Sequence, residues 1–274
     1  MATQMQTDKI LSMIDVIGSK EKFQQYKSTV EKVYTGPENK DRYWMMYAKI
    51  AQEWINSPKI NVKRQVLSCL FNAVKLGLNP DPVFGEIYFV PYKGVLTYQI
   101  GYKGMIKLSL NSGKVTNVRS GIVYEKDEWE YYEDEKGQHY KFKPNFLETN
   151  RGRELFIYSI FADQNGVPNV HVMDSQHVDK IKAMVLARTP NSPWANALFE
   201  PEMRKKTCIR RHWKTEPKSV EIAQVMEYEE KIESGEVIKE QHTELEGIID
   251  DLIDRSQQQE EVLPMDEVFG KAKA

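Results

Sequence analysis

The stretch GEIYFVPYKGVLTYQIGYKGMI, residues 85–106, decides the fold. From Glu86 to Tyr92 β-branched and aromatic residues dominate, Lys93-Gly94 supplies a two-residue turn, and Val95 to Ile100 resumes the extended pattern. That arrangement predicts a β-hairpin. A short helix is expected next, from about Tyr102 to Ser112, ending at Gly113.

Upstream the periodicity is helical. Residues 7–34 and 41–56 read as amphipathic helices separated by a turn at Gly36-Pro37, and Tyr43, Trp44, Tyr47, Ile50, Trp54 and Ile55 form a stripe that reads as core. A third helix is expected from Val62 to Leu76, capped by Asn61 and stopped by Gly77, with Cys69 as a small buried hydrophobe at its edge. Downstream, extended segments are expected at 115–124, 128–132, 138–143, 154–162 and 168–173, with hairpins at Gly137 and at Gln164-Asn165-Gly166. Asp174 is placed to cap a helix over 175–188, and another should span 201–214. Helices on both sides of an antiparallel sheet make an α+β fold.

Charge is segregated along the chain. From Ser219 onward 5 Lys and Arg stand against 16 Asp and Glu, and residues 1–218 hold the other 33 basic and 24 acidic residues. The body is therefore basic and the tail acidic, which favours a polyanionic ligand for the body. Beyond Glu240, large apolar residues thin out and Gln257-Gln258-Gln259 appears, a composition expected of a disordered tail. Cys69 and Cys208 are too few for a disulfide framework, Met1 to Lys9 lacks a signal-peptide pattern, and no apolar run approaches membrane-spanning length. A reduced, intracellular setting is the expectation.

Two basic elements stand out. Between Tyr92 and Arg119 lie Lys93, Lys103, Lys107, Lys114 and Arg119 with no acidic residue, interleaved with Tyr98, Gln99, Tyr102 and four glycines. A phosphate chain needs cations, amide donors and room for close approach, and this mixture supplies all three. Lys103 and Lys107 stand four apart at a helix start, where unsatisfied N–H groups also favour anions, and Tyr98 or Tyr102 could stack on a base. The second element, Met203 to Lys218, carries Arg204, Lys205, Lys206, Arg210, Arg211, Lys214 and Lys218 against one Glu216. On a helix Lys206, Arg210 and Lys214 share a stripe, with Arg204 and Arg211 together beside it. Like charges at that density repel unless an anion neutralises them. Ile209 and Trp213 read as anchors to the core. The bland alternative for both elements is a set of lysines and arginines that merely face water.

The combination resembles the RecT family of phage single-strand annealing proteins. The likeness lies in Gly77-Leu78-Asn79-Pro80-Asp81-Pro82, in Gly85 to Tyr92, in Gln99 to Ile106, in Trp194 and in Met203 to Arg211. It runs in order over roughly residues 20–225, with a shorter hairpin tip than some members have. It implies an annealing fold like that of RecT and Red beta, with a helical N-terminal lobe. It also implies ATP-independent binding and annealing of single-stranded DNA in phage recombination, without enzymatic chemistry, metal or cofactor. Carried onto this sequence, the phosphate-holding residues are Tyr92, Lys93, Gln99, Tyr102, Lys103, Lys107, Lys206, Arg210 and Arg211. The organisation expected is an oligomer-forming lobe over residues 1–60, a DNA-binding core over 61–225 and an acidic tail over 226–274. Expected partners are single-stranded DNA, the annealed duplex, further copies in a ring or filament, a partner exonuclease and a host single-strand-binding protein. The expected place is the cytoplasm of a bacterial host, with no membrane.

Two rivals stand behind this reading, the second of them kept as the alternative function. ATP-driven strand exchange needs a Gly-x-x-x-x-Gly-Lys-Ser/Thr cradle, and Gly113-Lys114 is followed by Val115. A metal-dependent nuclease of the PD-(D/E)xK type is matched nominally by Pro80-Asp81 and Asp134-Glu135-Lys136, but the second run reads as a hairpin turn. The acid-rich stretch Glu125 to Glu135 reads as a solvated hairpin, and the five histidines show no zinc spacing.

Overall fold

A computed structural model of the chain describes residues 11–34, 40–92 and 94–215, with Ala223, Met226 and Glu227. The Gly36-Pro37 turn, Lys93, residues 7–10 and most of the acidic tail lie outside these. The fold is α+β. The described residues fall into two compact units, the first up to Ile100 with Glu227, the second from Gly101 to Met226. That division falls inside the stretch 61–225.

The first unit begins with α1 (residues 11–17), α2 (Lys20–Val33), α3 (Lys40–Ile55) and α4 (Lys63–Lys75). The single helix expected across the first of these stretches is two helices. Gly18 turns into the left-handed region at φ 100°, and Ser19 then restarts the helix, its side chain accepting from the Lys22 N–H. The aromatic stripe of α3 is core as expected except for Trp54, which is half-buried. Tyr43, Trp44, Tyr47, Ile50 and Ile55 are buried, Trp44 stacks on Tyr47, and the hydroxyl of Tyr26 on α2 donates to the Leu67 carbonyl of α4 at 2.9 Å. Buried on nearly every side, α4 is the centre of this unit, and Cys69 lies inside it rather than at an edge.

The expected hairpin follows as β1 (Ile87–Tyr92) and β2 (Val95–Ile100), antiparallel from Ile87↔Ile100 to Tyr92↔Val95. Cys69 Sγ donates to the Leu96 carbonyl at 3.2 Å, tying β2 to α4. Asn61 does not cap α4. Val62 holds the cap position with no side-chain bond, and the Asn61 N–H donates to the Gly94 carbonyl at 2.7 Å instead. Gly94 is at φ 86°, and a Cβ there would meet the Asn61 amide at 2.3 Å, so only glycine fits the turn.

The second unit runs through α5 (Tyr102–Asn111), β3 (Val115–Tyr124), β4 (Glu128–Asp134), β5 (Gly137–Lys143), β6 (Glu154–Asp163), β7 (Pro168–Asp174), α6 (Ser175–Arg188), a 3-10 turn (Pro193–Ala195) and α7 (Glu200–Trp213). These match the expected segments within a few residues. Asp174 caps α6 as expected, accepting from the N–H groups of Gln176 and His177. The strands form an antiparallel sheet in the order β3-β6-β7, and β4-β5 is a separate hairpin.

Because β6 is covered on both faces, it reads as a nearly continuous apolar run. Ile157, Ser159 and Phe161 turn toward α7, where Ile157 joins Cys208 and Trp194, and Ser159 and Phe161 meet His212. Tyr158 and Ile160 turn the other way, under Trp129 of β4 and Phe142 of β5. Among the described residues no helix is long and apolar enough to cross a membrane.

Candidate nucleic-acid interface

The geometry sorts the basic residues of α7 by what surrounds them. This helix buries Cys208, Ile209, His212 and Trp213 against the sheet, so its cations are confined to the remaining face. Arg204, with a side chain only 11% exposed, bonds Glu154 and Glu200 at 2.9 Å each and also pairs with Asp179. Lys205 pairs with Glu202, three residues earlier on the helix. Lys182 of α6 closes on Glu200 at 2.7 Å; burial would raise the Glu200 pKa, but Lys182 and Arg204 outweigh it and hold the carboxyl below the usual range. The first turn of α7 is thus neutralised by the protein itself and serves to lock α7 to α6 and β6.

One turn later the pattern reverses. Lys206 is half-buried, and its ammonium is held below the ordinary lysine range, first by burial and then by the charge of Arg210. Among the described residues no carboxylate lies within ion-pair distance of Lys206. The Lys206 ammonium, partly withdrawn from water and one turn from the Arg210 guanidinium, is a positive charge that an external anion would relieve. Arg211 stays exposed and turns toward α6, its Nη1 donating to Nε2 of His177 at 2.7 Å.

Packed against α7 and β3 is α5. Gly101 occupies its N-cap position with no side-chain bond, so the first-turn N–H groups are not closed by a capping side chain. Gly104, Met105, Leu108 and Ser109 face inward, Lys103 is exposed, and Tyr102 and Lys107 are half-buried. Within this unit the fold therefore brings helices bearing Tyr102, Lys103 and Lys107 and helices bearing Lys206 and Arg210 into contact, although about a hundred residues separate them in sequence.

The remaining residues sit in the first unit. Tyr92 ends β1, Gln99 lies on β2, and both are exposed on the outer face of the hairpin; Lys93 lies outside the described residues. Tyr98 is buried on the opposite face, at 5% exposure, and so cannot stack on a base. Tyr88 is a further aromatic residue on the outer face. It is exposed, stands directly across from Gln99 and shares the strand face of Tyr92. Period-two spacing from Tyr92 was the available signal.

The carboxylates of the nuclease pattern hold turns. Asp81 Oδ1 accepts from the Val83 N–H at 3.0 Å, and Asp134 Oδ1 accepts from the Lys136 N–H at 2.8 Å and contacts His139 Nε2 at 2.9 Å. In the acid-rich stretch Asp127 pairs with Arg151, Glu125 with Arg153 and Glu128 with Lys143. Among the described residues no group of three or more His, Cys, Asp or Glu is placed to hold a metal ion.

The RecT family model matches residues 47–244, a span that includes the hairpin, α5 and α7. Protein RecT of Escherichia coli (strain K12) is 30% identical over 175 residues, covering 60% of this chain and 62% of that protein. The chain thus matches less than two thirds of the length of that relative.

Proposed function

The chain belongs to the RecT family, and we propose that it binds single-stranded DNA and anneals complementary strands in homologous recombination, without ATP and without acting as an enzyme. The observation that carries this reading is Lys206, a half-buried cation with no carboxylate within ion-pair distance among the described residues, one turn from Arg210 on a helix where Arg204 and Lys205 are neutralised. Annealing requires two polyanionic backbones to approach while base edges stay open. Phosphate contacts from lysine and arginine meet that demand without reading sequence.

The phosphate-holding set is Tyr102, Lys103, Lys107, Lys206, Arg210 and Arg211 in the second unit, with Tyr92, Lys93 and Gln99 on the hairpin. Tyr88 joins them as a surface on which a base could stack. Arg204 and Lys205, for all their charge, belong to the scaffold. The protein would act in the bacterial cytoplasm as an oligomer, with residues 1–60 supplying subunit contacts, 61–225 holding DNA and the acidic segment 226–274 recruiting an exonuclease or a single-strand-binding protein.

The direct test mixes complementary oligonucleotides with the purified chain in the absence of any nucleotide and follows duplex formation by fluorescence quenching. Acceleration over the spontaneous rate is expected. Absence of acceleration, or an absolute need for ATP, refutes the reading.

A further inference from the structure

The loop between β5 and β6 displays two large apolar side chains to solvent, Phe146 at 80% and Leu147 at 99% exposure, although its backbone is held firmly. Its anchor is Asp127, whose side chain is fully buried. That carboxylate accepts from the N–H groups of Tyr124 and Asn145, at 2.9 and 3.0 Å, and from Nε of Arg151 at 2.9 Å, with Arg151 Nη2 as a fourth donor. The Lys126 N–H donates to the Arg151 carbonyl, and the Arg151 guanidinium lies over the rings of Tyr124 and Phe146. Exposed apolar residues on a tethered loop are held in position rather than left to find cover, which marks an interaction surface.

Beside them lies a groove of about 410 Å³, walled by Ile122, Phe142, Pro144, Phe146, Tyr158 and Pro201. Close before Pro201 in the chain, separated from it by Glu200, Leu198 and Phe199 are 82% and 56% exposed. The charges bordering this region are already matched within the chain: Lys126 with Glu148, Lys143 with Glu128, Arg153 with Glu125 and Lys205 with Glu202. A matched rim offers a polyanion little. It suits a surface of the same composition, because two such rims meet without net repulsion.

We propose that this face docks a second copy of the chain, with Leu147 of one copy seated in the groove of the other. Leu147 follows directly on Phe146, which walls the groove, so knob and groove are neighbours on one chain and can meet reciprocally in a self-complementary contact. This deepens the oligomer proposed above by giving the second unit a contact of its own, and it rests on that reading for its purpose but not for its geometry.

Sedimentation velocity on the full-length chain, with Leu147→Asp beside Leu147→Met, tests it. Because the side chain is exposed, both variants should keep the wild-type melting temperature. Leu147→Asp should raise the concentration needed for association at least about tenfold, and Leu147→Met should leave it unchanged. Mixing Leu147→Cys chains with Ser120→Cys chains under oxidation should yield a covalent pair, since Ser120 lines the groove and the native cysteines are buried. Wild-type association by Leu147→Asp, or no covalent pair, overturns the proposal. Oligonucleotide binding measured on the same samples separates the two readings: a wild type that associates through Leu147 but ignores DNA defeats the annealing function and leaves this contact standing.

Discussion

On α7 the ammonium of Lys206 is held below the ordinary lysine pKa by its own burial and by the guanidinium of Arg210 one turn along. A surface helix gains nothing from such an arrangement by itself. Like charges four apart destabilise a helix by a few tenths of a kcal/mol, and a partly buried ammonium adds to that cost. Conversion of Lys206→Met should therefore hold or raise stability, by about 0.5 kcal/mol, while weakening oligonucleotide binding. Urea denaturation and fluorescence anisotropy on the same preparation give both numbers. A variant that loses stability and keeps its affinity would make Lys206 a scaffold residue.

The salt dependence should identify the contact as ionic. Each phosphate neutralised on a single strand contributes a slope of about 0.7 to the plot of log affinity against log salt. Replacing Lys206 and Arg210 together by Ala should flatten that slope by about 1.4 and weaken binding at every sequence alike. Titrations from low to high salt on two unrelated oligonucleotides decide it, and an unchanged slope would remove both residues from the interface.

Arg204 lies on the same helix and should behave in the opposite way. Its partners come from β6, α6 and α7, and its side chain is nearly buried. Its removal takes the shared cation from Glu154 and Glu200, though Lys182 still reaches Glu200 and Ser175 still donates to Glu154, so Arg204→Ala should cost about 1.5–3 kcal/mol of stability. Lys205→Ala, which breaks a pair with the exposed Glu202, should cost at most about 1 kcal/mol. Chemical denaturation of the two variants makes the comparison.

This contrast also shows what the sequence could reveal. Local signals were legible: the Lys93-Gly94 turn, the alternation on either side of it and the Asp174 cap each act over a few residues. The Glu154 and Asp179 that neutralise Arg204 lie 50 and 25 residues away, so no local pattern separates Arg204 from Lys206. Tyr98 and Tyr88 are equally aromatic, and only the packing of the hairpin on α4 decides which one is buried. Asn61 is a good capping residue by type, but Val62 takes the cap position, so the helix begins without a side-chain cap, and Asn61 instead donates its N–H to the Gly94 carbonyl. Gly18 splits a helix whose apolar spacing reads through it, because periodicity reports faces and not breaks.

The hairpin face yields a prediction of its own. Tyr88 and Tyr92 lie on one strand face with Gln99 opposite Tyr88, and both rings are partly open to solvent. Stacking of a base on an aromatic ring contributes about 1–3 kcal/mol. Tyr88→Ala should weaken oligonucleotide binding by about tenfold or more, Tyr88→Phe should retain it, and neither should change the salt slope. A loss in Tyr88→Phe equal to that in Tyr88→Ala would assign the effect to the hydroxyl instead of the ring.

Beneath α7 a pair of imidazoles sets a pH limit. His171 and His212 have ring centroids 5.4 Å apart, and the His212 ring bonds Ser159 Oγ through Nδ1 at 2.8 Å. Nε2 of His171 is buried without a hydrogen-bond partner among the described residues. Burial lowers the His171 pKa, and the neighbouring His212 and Arg211 lower it further. A folded-state pKa below the unfolded value means that the unfolded chain binds the proton more readily. The contribution to stability is complete above the unfolded value of about 6.5 and is lost as pH falls through the lower folded value. Asp127 and Glu200, also held low, lose theirs only around the carboxylate range, so the two phases separate. Melting temperature should therefore begin to fall as pH drops below about 6.5, well before acid unfolding, and His171→Gln should flatten that first phase while leaving the second in place. Thermal melts at half-unit steps from pH 7.5 to 4 resolve the two, and a variant that melts in parallel with wild type across the upper phase would show that His171 is not the group being titrated.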